Sequence, residues 1–391
     1  MSAGLRRCLI DLACRALQAT LPSPLQSWGW AVRYEAAAIP NETTALLFTL
    51  NSLCGLMPRA LASHLIQIFA SLIGERAPLS EGSTMNIVDA TLGRPRTIGI
   101  ICAISAVILG IVYMAIAGAP MRYLGINLGA LAIGLTMLAL LDRTEVTGQR
   151  WINGAIITMA GALLATALLG SKVDGAARWV NLGGLAIQPS LILLPVMLVA
   201  FSSIRSALST GGIIAASAAM ALQPDRGMAG MLALCLAAIA IVRRDKHASL
   251  ALAFGLTGFA VTLVRADTLP AVPYVDQILY SSFEVHVSAG LAVLGGMALL
   301  LVPALAGWSR DADNRATYAA FGATWFTVIM AAAIGNYPTP IVGYGGSAII
   351  GYALSLLALP KLSGVHVGAA ELSCGTAQVR PSNRNLFVAL A

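Results

Sequence analysis

The sequence predicts an all-α polytopic membrane protein of about ten transmembrane helices, preceded by a short amphipathic helical segment. Three observations carry this. Hydrophobic residues make up 58% of the chain and charged residues 10%, with a mean hydropathy of +0.81, the composition of a bilayer-embedded bundle. Apolar runs of spanning length recur from residue 97 to residue 361. Between them, polar and glycine-rich stretches cluster at four places where hydrocarbon would make them costly.

Residues 1–96 are apolar but broken by Arg6, Arg7, Asp11, Arg15, Arg33, Glu35, Glu42, Arg59 and Glu75, so no run there reaches spanning length. Leu5, Leu9, Leu12, Ala13 and Leu17 recur at helical spacing, as do Leu46, Leu47, Leu50, Leu53 and Cys54, which predicts short amphipathic helices in the cytoplasm or on the membrane surface. Asp11 and Arg15 interrupt the apolar stretch that a cleaved signal peptide needs. Residues 76–96, with Pro78, Gly82, Gly93 and Pro95, read as a linker.

A spanning helix needs roughly 20 apolar residues, because its backbone groups must be satisfied within the segment. The runs fall near 97–118, 121–141, 152–170, 185–203, 207–222, 227–243, 247–265, 281–307, 316–335 and 343–361. Residues 362–391 lack a sustained apolar period and are expected to be a mobile tail. An even number of spans puts both termini on one side. The basic residues Arg143, Arg150, Arg205, Arg243, Arg244, Lys246, Arg310, Arg315 and Lys361 place that side in the cytoplasm, against Arg122, Lys172, Arg178, Arg226 and Arg265 opposite. The net charge of +7 is spread over span ends rather than gathered on one face, which argues against nucleic acid and for membrane lipids as partners. The six cysteines form no CxxC pair and read as structural thiols. No phosphate-binding loop, zinc-protease or serine-hydrolase motif suggests a soluble catalytic domain, and no metal ligand set is expected.

The four polar breaks all fall on the non-cytoplasmic side of this topology. The first is the loop 171–190, where Arg178 offers a planar donor set suited to phosphate and Gln188-Pro189-Ser190 opens the fourth span. Gln223-Pro224-Asp225-Arg226-Gly227 is the turn between the fifth and sixth spans; Asp225 there is suited either to cap the next helix or to join a site. Loop 265–284 carries Arg265, Asp267, Asp276 and Glu284. The stretch from Gly335 to Ser347 contains Tyr344 and successive glycines, whose amides at a helix start would attract an anion.

Together these motifs resemble the shape, elongation, division and sporulation family, the FtsW/RodA/SpoVE group of bacterial cell-wall proteins. In that family a Gly-rich stretch ending in Arg-Trp precedes a Gln-Pro-Ser-Glu motif; here Arg178-Trp179 precedes Gln188-Pro189-Ser190. The family's Gln-Pro-Asp-x-Gly turn is matched by Gln223 to Gly227, and its Pro-x-x-x-Tyr-Gly-Gly-Ser-Ser motif by Pro340 to Ser347. The resemblance covers roughly residues 97–361. It implies ten spans around a cavity open to the exterior or periplasm of a bacterial inner membrane. It also implies glycan polymerisation from lipid-linked disaccharide–pentapeptide, in peptidoglycan synthesis, cell division or cell shape, beside a penicillin-binding transpeptidase partner. No certain cofactor follows, although a diphosphate leaves room for a divalent cation. Arg178, Gln188, Ser190, Asp225, Asp276, Glu284, Tyr344 and Ser347 are the substrate-binding candidates.

Two departures bear on activity. Leu191 and Leu194 stand where the family has the Glu and Lys of its fourth-span motif. Asp276-Gln277-Ile278-Leu279 and Glu284 match the segment entering the family's eighth helix, but between Arg265 and Asp276 only ten residues remain, so the family's catalytic stretch is missing. Asp267, the only carboxylate left in that gap, is the catalytic candidate, with Asp276 as the alternative base. The alternatives are a non-catalytic relative that binds lipid-linked precursor or a transpeptidase, and, from Pro195 and Pro303 inside spans, a transporter or flippase of polyprenyl-linked sugar.

Overall fold

The computed structural model describes residues 3–21, 25–53, 56, 60, 95–143, 148–173, 176–265 and 270–360. Asp267, residues 76–94 of the expected linker and the expected tail 362–391 lie outside the described residues. The expected all-α polytopic class holds: the described residues are overwhelmingly helical, and among them six helices are long and apolar enough to cross a membrane and four shorter ones are apolar.

The N-terminal segment forms α1 (Ala3–Thr20), α2 (Gln26–Ala38) and α3 (42–53). They enclose a small core of Leu17, Leu21, Leu25, Val32, Leu56 and Ala60, whereas Leu12, Leu47 and Leu50 of the expected apolar faces are exposed. An ion pair of 2.6 Å between Arg7 and Glu42 joins the first helix to the third.

The membrane-spanning bundle begins at α4 (Pro95–Ile116), α5 (Met121–Asp142) and α6 (Gln149–Leu169), followed by strands β1 (Ser171–Val173), β2 (Ala176–Leu182) and β3 (Leu185–Ile187). It continues through α7 (Pro189–Ser203), α8 (Ala207–Leu222), α9 (Arg226–Val242) and α10 (Lys246–Leu263). A short helix, α11 (Ile278–Val285), precedes the eighth span, which comprises α12 (Val287–Leu299) and α13 (Val302–Arg310); α14 (Arg315–Ile334) and α15 (Gly346–Ser355) complete the bundle.

Local chemistry sets several of these boundaries. Pro95 and Pro189 begin α4 and α7, where a missing N–H costs nothing. Ser206 and Ser209 form a reciprocal capping box on α8, while Asp225 and Asp245 cap α9 and α10. Pro303 cannot donate to Leu299, so the expected continuous run 281–307 breaks at residues 300–301. A second break falls at His286, whose backbone is extended and whose ring accepts from the Ser288 N–H. The fourth expected span, 185–203, also starts later, because 185–187 pair with β2 instead of joining the helix.

Helix α9 lies at the centre, burying Met231, Leu232, Leu236 and Ile239 against Leu194, Met197, Leu198 and Phe201 of α7 and Ile213, Ala216 and Met220 of α8. A second core packs Phe321 and Trp325 of α14 on Tyr352 of α15, edge to face. At one end of the bundle, Arg96 pairs with Asp142 and donates to the Leu357 and Leu359 carbonyls at 2.7 and 2.6 Å, closing the last helix against the first two spans. Arg205 pairs with Asp245 at 2.6 Å at the same end.

Helices α7 and α15 touch through backbone. A Cβ on Gly351 would stand 2.0 Å from the Leu191 carbonyl oxygen. Gly351→Ala is therefore expected to push the helices apart and cost roughly 1–3 kcal/mol, the usual range for overpacking. Gly154→Ala on α6, where a Cβ meets nothing within 4 Å, should melt with the wild type. Thermal unfolding of the purified protein in detergent checks both.

Candidate functional site

The end of the bundle opposite the Arg96 clamp gathers the polar breaks. After α6 the chain forms an antiparallel sheet of order β1-β2-β3, with Ser171 opposite Trp179 and Val180 opposite Ile187. The β2–β3 turn is Gly183-Gly184, with φ of 57° and 81°, a two-residue reversal that needs positive φ at both positions. The hairpin lays Arg178, Trp179 and Asn181 over the helix ends. Arg178 is only 4% exposed and donates from Nη2 to the Pro224 carbonyl at 2.5 Å, tying the hairpin to the turn between α8 and α9.

Gln188 links three of the motifs. Its side-chain Nε2 donates to Asp225 Oδ2 at 3.1 Å and to Ser190 Oγ at 3.2 Å, and its backbone N–H donates to Ser347 Oγ at 3.0 Å. Asp225 is 1% exposed; through Oδ1 it accepts the Met228 N–H at 3.1 Å and so caps α9 while holding Gln188. A Cβ on Gly227 would meet the Tyr337 ring at 2.8 Å, which explains the glycine at the end of that turn.

The connections before α11 and before α15 are joined edge to edge. Thr339 N–H donates to the Val275 carbonyl at 2.8 Å, Tyr344 N–H to the Tyr274 carbonyl at 2.7 Å, and Gln277 Nε2 to Asn336 Oδ1 at 2.8 Å. From the helical side, Asn127 of α5 donates through Nδ2 to the Gly343 carbonyl at 2.7 Å and accepts the Gly345 N–H through Oδ1 at 3.2 Å. Tyr344 stacks on Tyr123, with centroids 4.0 Å apart and planes at 14°.

These elements enclose a cavity of about 660 Å³, within the usual size of ligand sites. Arg178, Trp179, Gln188, Asp276, Tyr344, Gly345, Gly346 and Ser347 line its polar part, and Ile126, Ile133, Leu191 and Ile350 its apolar wall. Asp276 is half-buried there. Burial pushes its carboxyl above the ordinary range, partly offset by the Val272 N–H that donates to Oδ2 at 2.8 Å.

Of the expected site residues, Arg178, Gln188, Asp276, Tyr344 and Ser347 share this cavity. Ser190 and Asp225 sit buried directly beneath it, through Gln188. Glu284 is elsewhere: α11 buries Ile278 and Ser282, and a residue two positions beyond Ser282 points to the opposite side, so Glu284 is exposed and outside the lining. Leu194 is buried in the central core, where a charge would require desolvation, and Leu191, also buried, packs at the edge of that core as part of the cavity wall. Among the described residues, no group of three or more His, Cys, Asp or Glu side chains is placed to hold a metal ion. Sequence reasoning missed Asn127, Tyr123 and Tyr274; the available signal for Asn127 was an amide inside an otherwise apolar run.

No family model and no curated protein matches the chain. Among solved structures, it is similar to the crystal structure of the rod shape determining protein RodA of Thermus thermophilus, at 20% identity and a TM-score of 0.47, over 68% of this chain and 94% of that one. A mutant of the same protein aligns at 21% identity and a TM-score of 0.48, over 68% and 95%. A chain from a structure titled for the coordination of polymerization and crosslinking by a peptidoglycan synthase complex aligns at 21% and 0.44, over 66% and 96%.

Proposed function

We propose that the protein is a bacterial inner-membrane protein of the shape, elongation, division and sporulation type, with both termini cytoplasmic, that polymerises glycan from a lipid-linked disaccharide–pentapeptide. One observation carries the reading. Arg178-Trp179 and Gln188 meet Tyr344 to Ser347, more than 150 residues further along the chain, around one cavity, and the wall of that cavity holds a half-buried carboxylate.

The groups suit the reaction. Among the described residues Asp276 is the carboxylate in the lining, and it takes the role of general base, receiving the proton of the acceptor sugar hydroxyl as its oxygen attacks the anomeric carbon. The anomeric carbon–oxygen bond breaks and lipid diphosphate leaves with the electron pair. Arg178 and the backbone amides at the start of α15 favour the charge that builds on this leaving group. Trp179 and Tyr344 offer ring faces to the sugars, and Ile126, Ile133 and Ile350 an apolar surface to the lipid chain.

A non-catalytic relative that binds the same precursor is the second reading, favoured by the buried Leu191 and Leu194 and by the short connection between α10 and α11. Reconstituting the full chain with lipid-linked disaccharide–pentapeptide, with and without a transpeptidase partner, separates the two. Polymer ladders on a gel are expected. Precursor binding without polymer selects the second reading, and neither binding nor polymer overturns both.

A further inference from the structure

Asn127 is fully buried, six residues inside α5, about 9 Å along the helix from its start. An amide at that depth is costly unless both its donor and its acceptor are used. Both are used on one partner, the turn that precedes α15: Nδ2 on the Gly343 carbonyl and Oδ1 on the Gly345 N–H. Only this orientation of the amide makes both bonds, because the reverse would set donor against donor and acceptor against acceptor.

The residues between and just after these contacts, Tyr344 to Ser347, line the cavity, and Ser347 accepts the Gln188 N–H. On α5 itself, Ile126, Gly129, Ala130 and Ile133 form the apolar wall on either side of Asn127. The amide thus fixes the spacing between that wall and the turn. The stacked Tyr123, also on α5, restrains the same turn through Tyr344.

We propose that Asn127 is a positioning residue for precursor binding, acting through the Tyr344–Ser347 turn without touching substrate. This rests on the function proposed above, so its test includes a readout that needs no ligand. Hydrogen exchange of the full chain in detergent should show the peptide 341–348 exchanging at least about tenfold faster in Asn127→Ala, since the Gly345 N–H loses its acceptor. Asn127→Asp, neutral in so buried a place, keeps that acceptor and an O–H for the Gly343 carbonyl, and should exchange more slowly than Asn127→Ala. Capture of lipid-linked disaccharide–pentapeptide should weaken about tenfold in Asn127→Ala, the worth of roughly one hydrogen bond.

Asn153, a buried amide at the other end of the bundle that accepts the Ser206 hydroxyl at 3.0 Å, is the control. Asn153→Ala should lower melting without changing either readout. Unchanged exchange and unchanged capture in Asn127→Ala would overturn the proposal, as would equal effects in Asn153→Ala. Should Asn127→Ala fail to fold, Asn127→Ser takes its place with the same expectations. If the wild type captures no precursor, the substrate reading falls and exchange alone decides whether Asn127 holds the turn.

Discussion

Asp225→Ala is expected to lose more stability than any other single change at the cavity, on the order of 2–4 kcal/mol, the cost of a lost helix cap and a buried N–H left without an acceptor. Two N–H groups lose their acceptor at once: the Met228 N–H at the start of α9 and one N–H of the Gln188 amide, whose bond to Ser190 remains. The cap alone is worth about 1 kcal/mol, and the unsatisfied Gln188 N–H about 1–3 more. Both donors are buried, Met228 at 4% exposure and Gln188 at 7%, so neither turns freely to bulk water. The loss also falls on the helix at the centre of the fold, and on the turn whose Pro224 carbonyl receives Arg178. Asp225→Asn retains an oxygen for the Met228 N–H and should recover part of the loss. Thermal unfolding in detergent reads both variants; an alanine variant melting with the wild type would show that this polar layer does not hold the motifs together.

Much of the bundle was legible because hydrocarbon leaves so few options for a backbone. Ten apolar runs of near-spanning length, separated by Pro, Gly and charged residues, could only become helices, and their odd–even order put the Arg178, Asp225, Asp276 and Ser347 segments at one end. What hydropathy could not resolve was pairing between distant or alternating segments. Leu185-Ala186-Ile187 is as apolar in a strand as in a helix, and only its partners on β2 decide for the strand. The breaks at His286 and Pro303 were hidden by averaging over a run whose other residues are apolar, although the rule that proline ends a helix was available. Glu284 kept the spacing of a known motif, but spacing does not fix which face of a short helix meets the bundle; Ile278 and Ser282 do. Asn127 was a single polar residue in a long apolar run, and its two partners lie over 200 residues away.

Asp276→Asn is expected to reduce glycan polymerisation by roughly 10²–10⁴-fold, the usual contribution of a positioned general base, while leaving precursor capture near the wild-type level. Asparagine has the same shape and still offers an oxygen to the Val272 N–H, so the wall of the cavity should persist. The pH dependence separates chemistry from folding. Burial raises the Asp276 carboxyl, so the base is ionised only above a midpoint higher than the ordinary aspartate value of about 3.9, and the wild-type rate should fall as pH drops through that midpoint. Stability runs the other way: a carboxyl whose folded value is raised stabilises the fold when protonated, and that contribution is lost as pH rises through the folded value. At neutral pH the ionised carboxylate is therefore a cost that asparagine removes, and Asp276→Asn should melt no lower than the wild type while being inactive. A variant that is both inactive and unstable would assign Asp276 a structural role. Full activity in Asp276→Asn, with loss in Asp267→Asn, would move the base to the segment after Arg265.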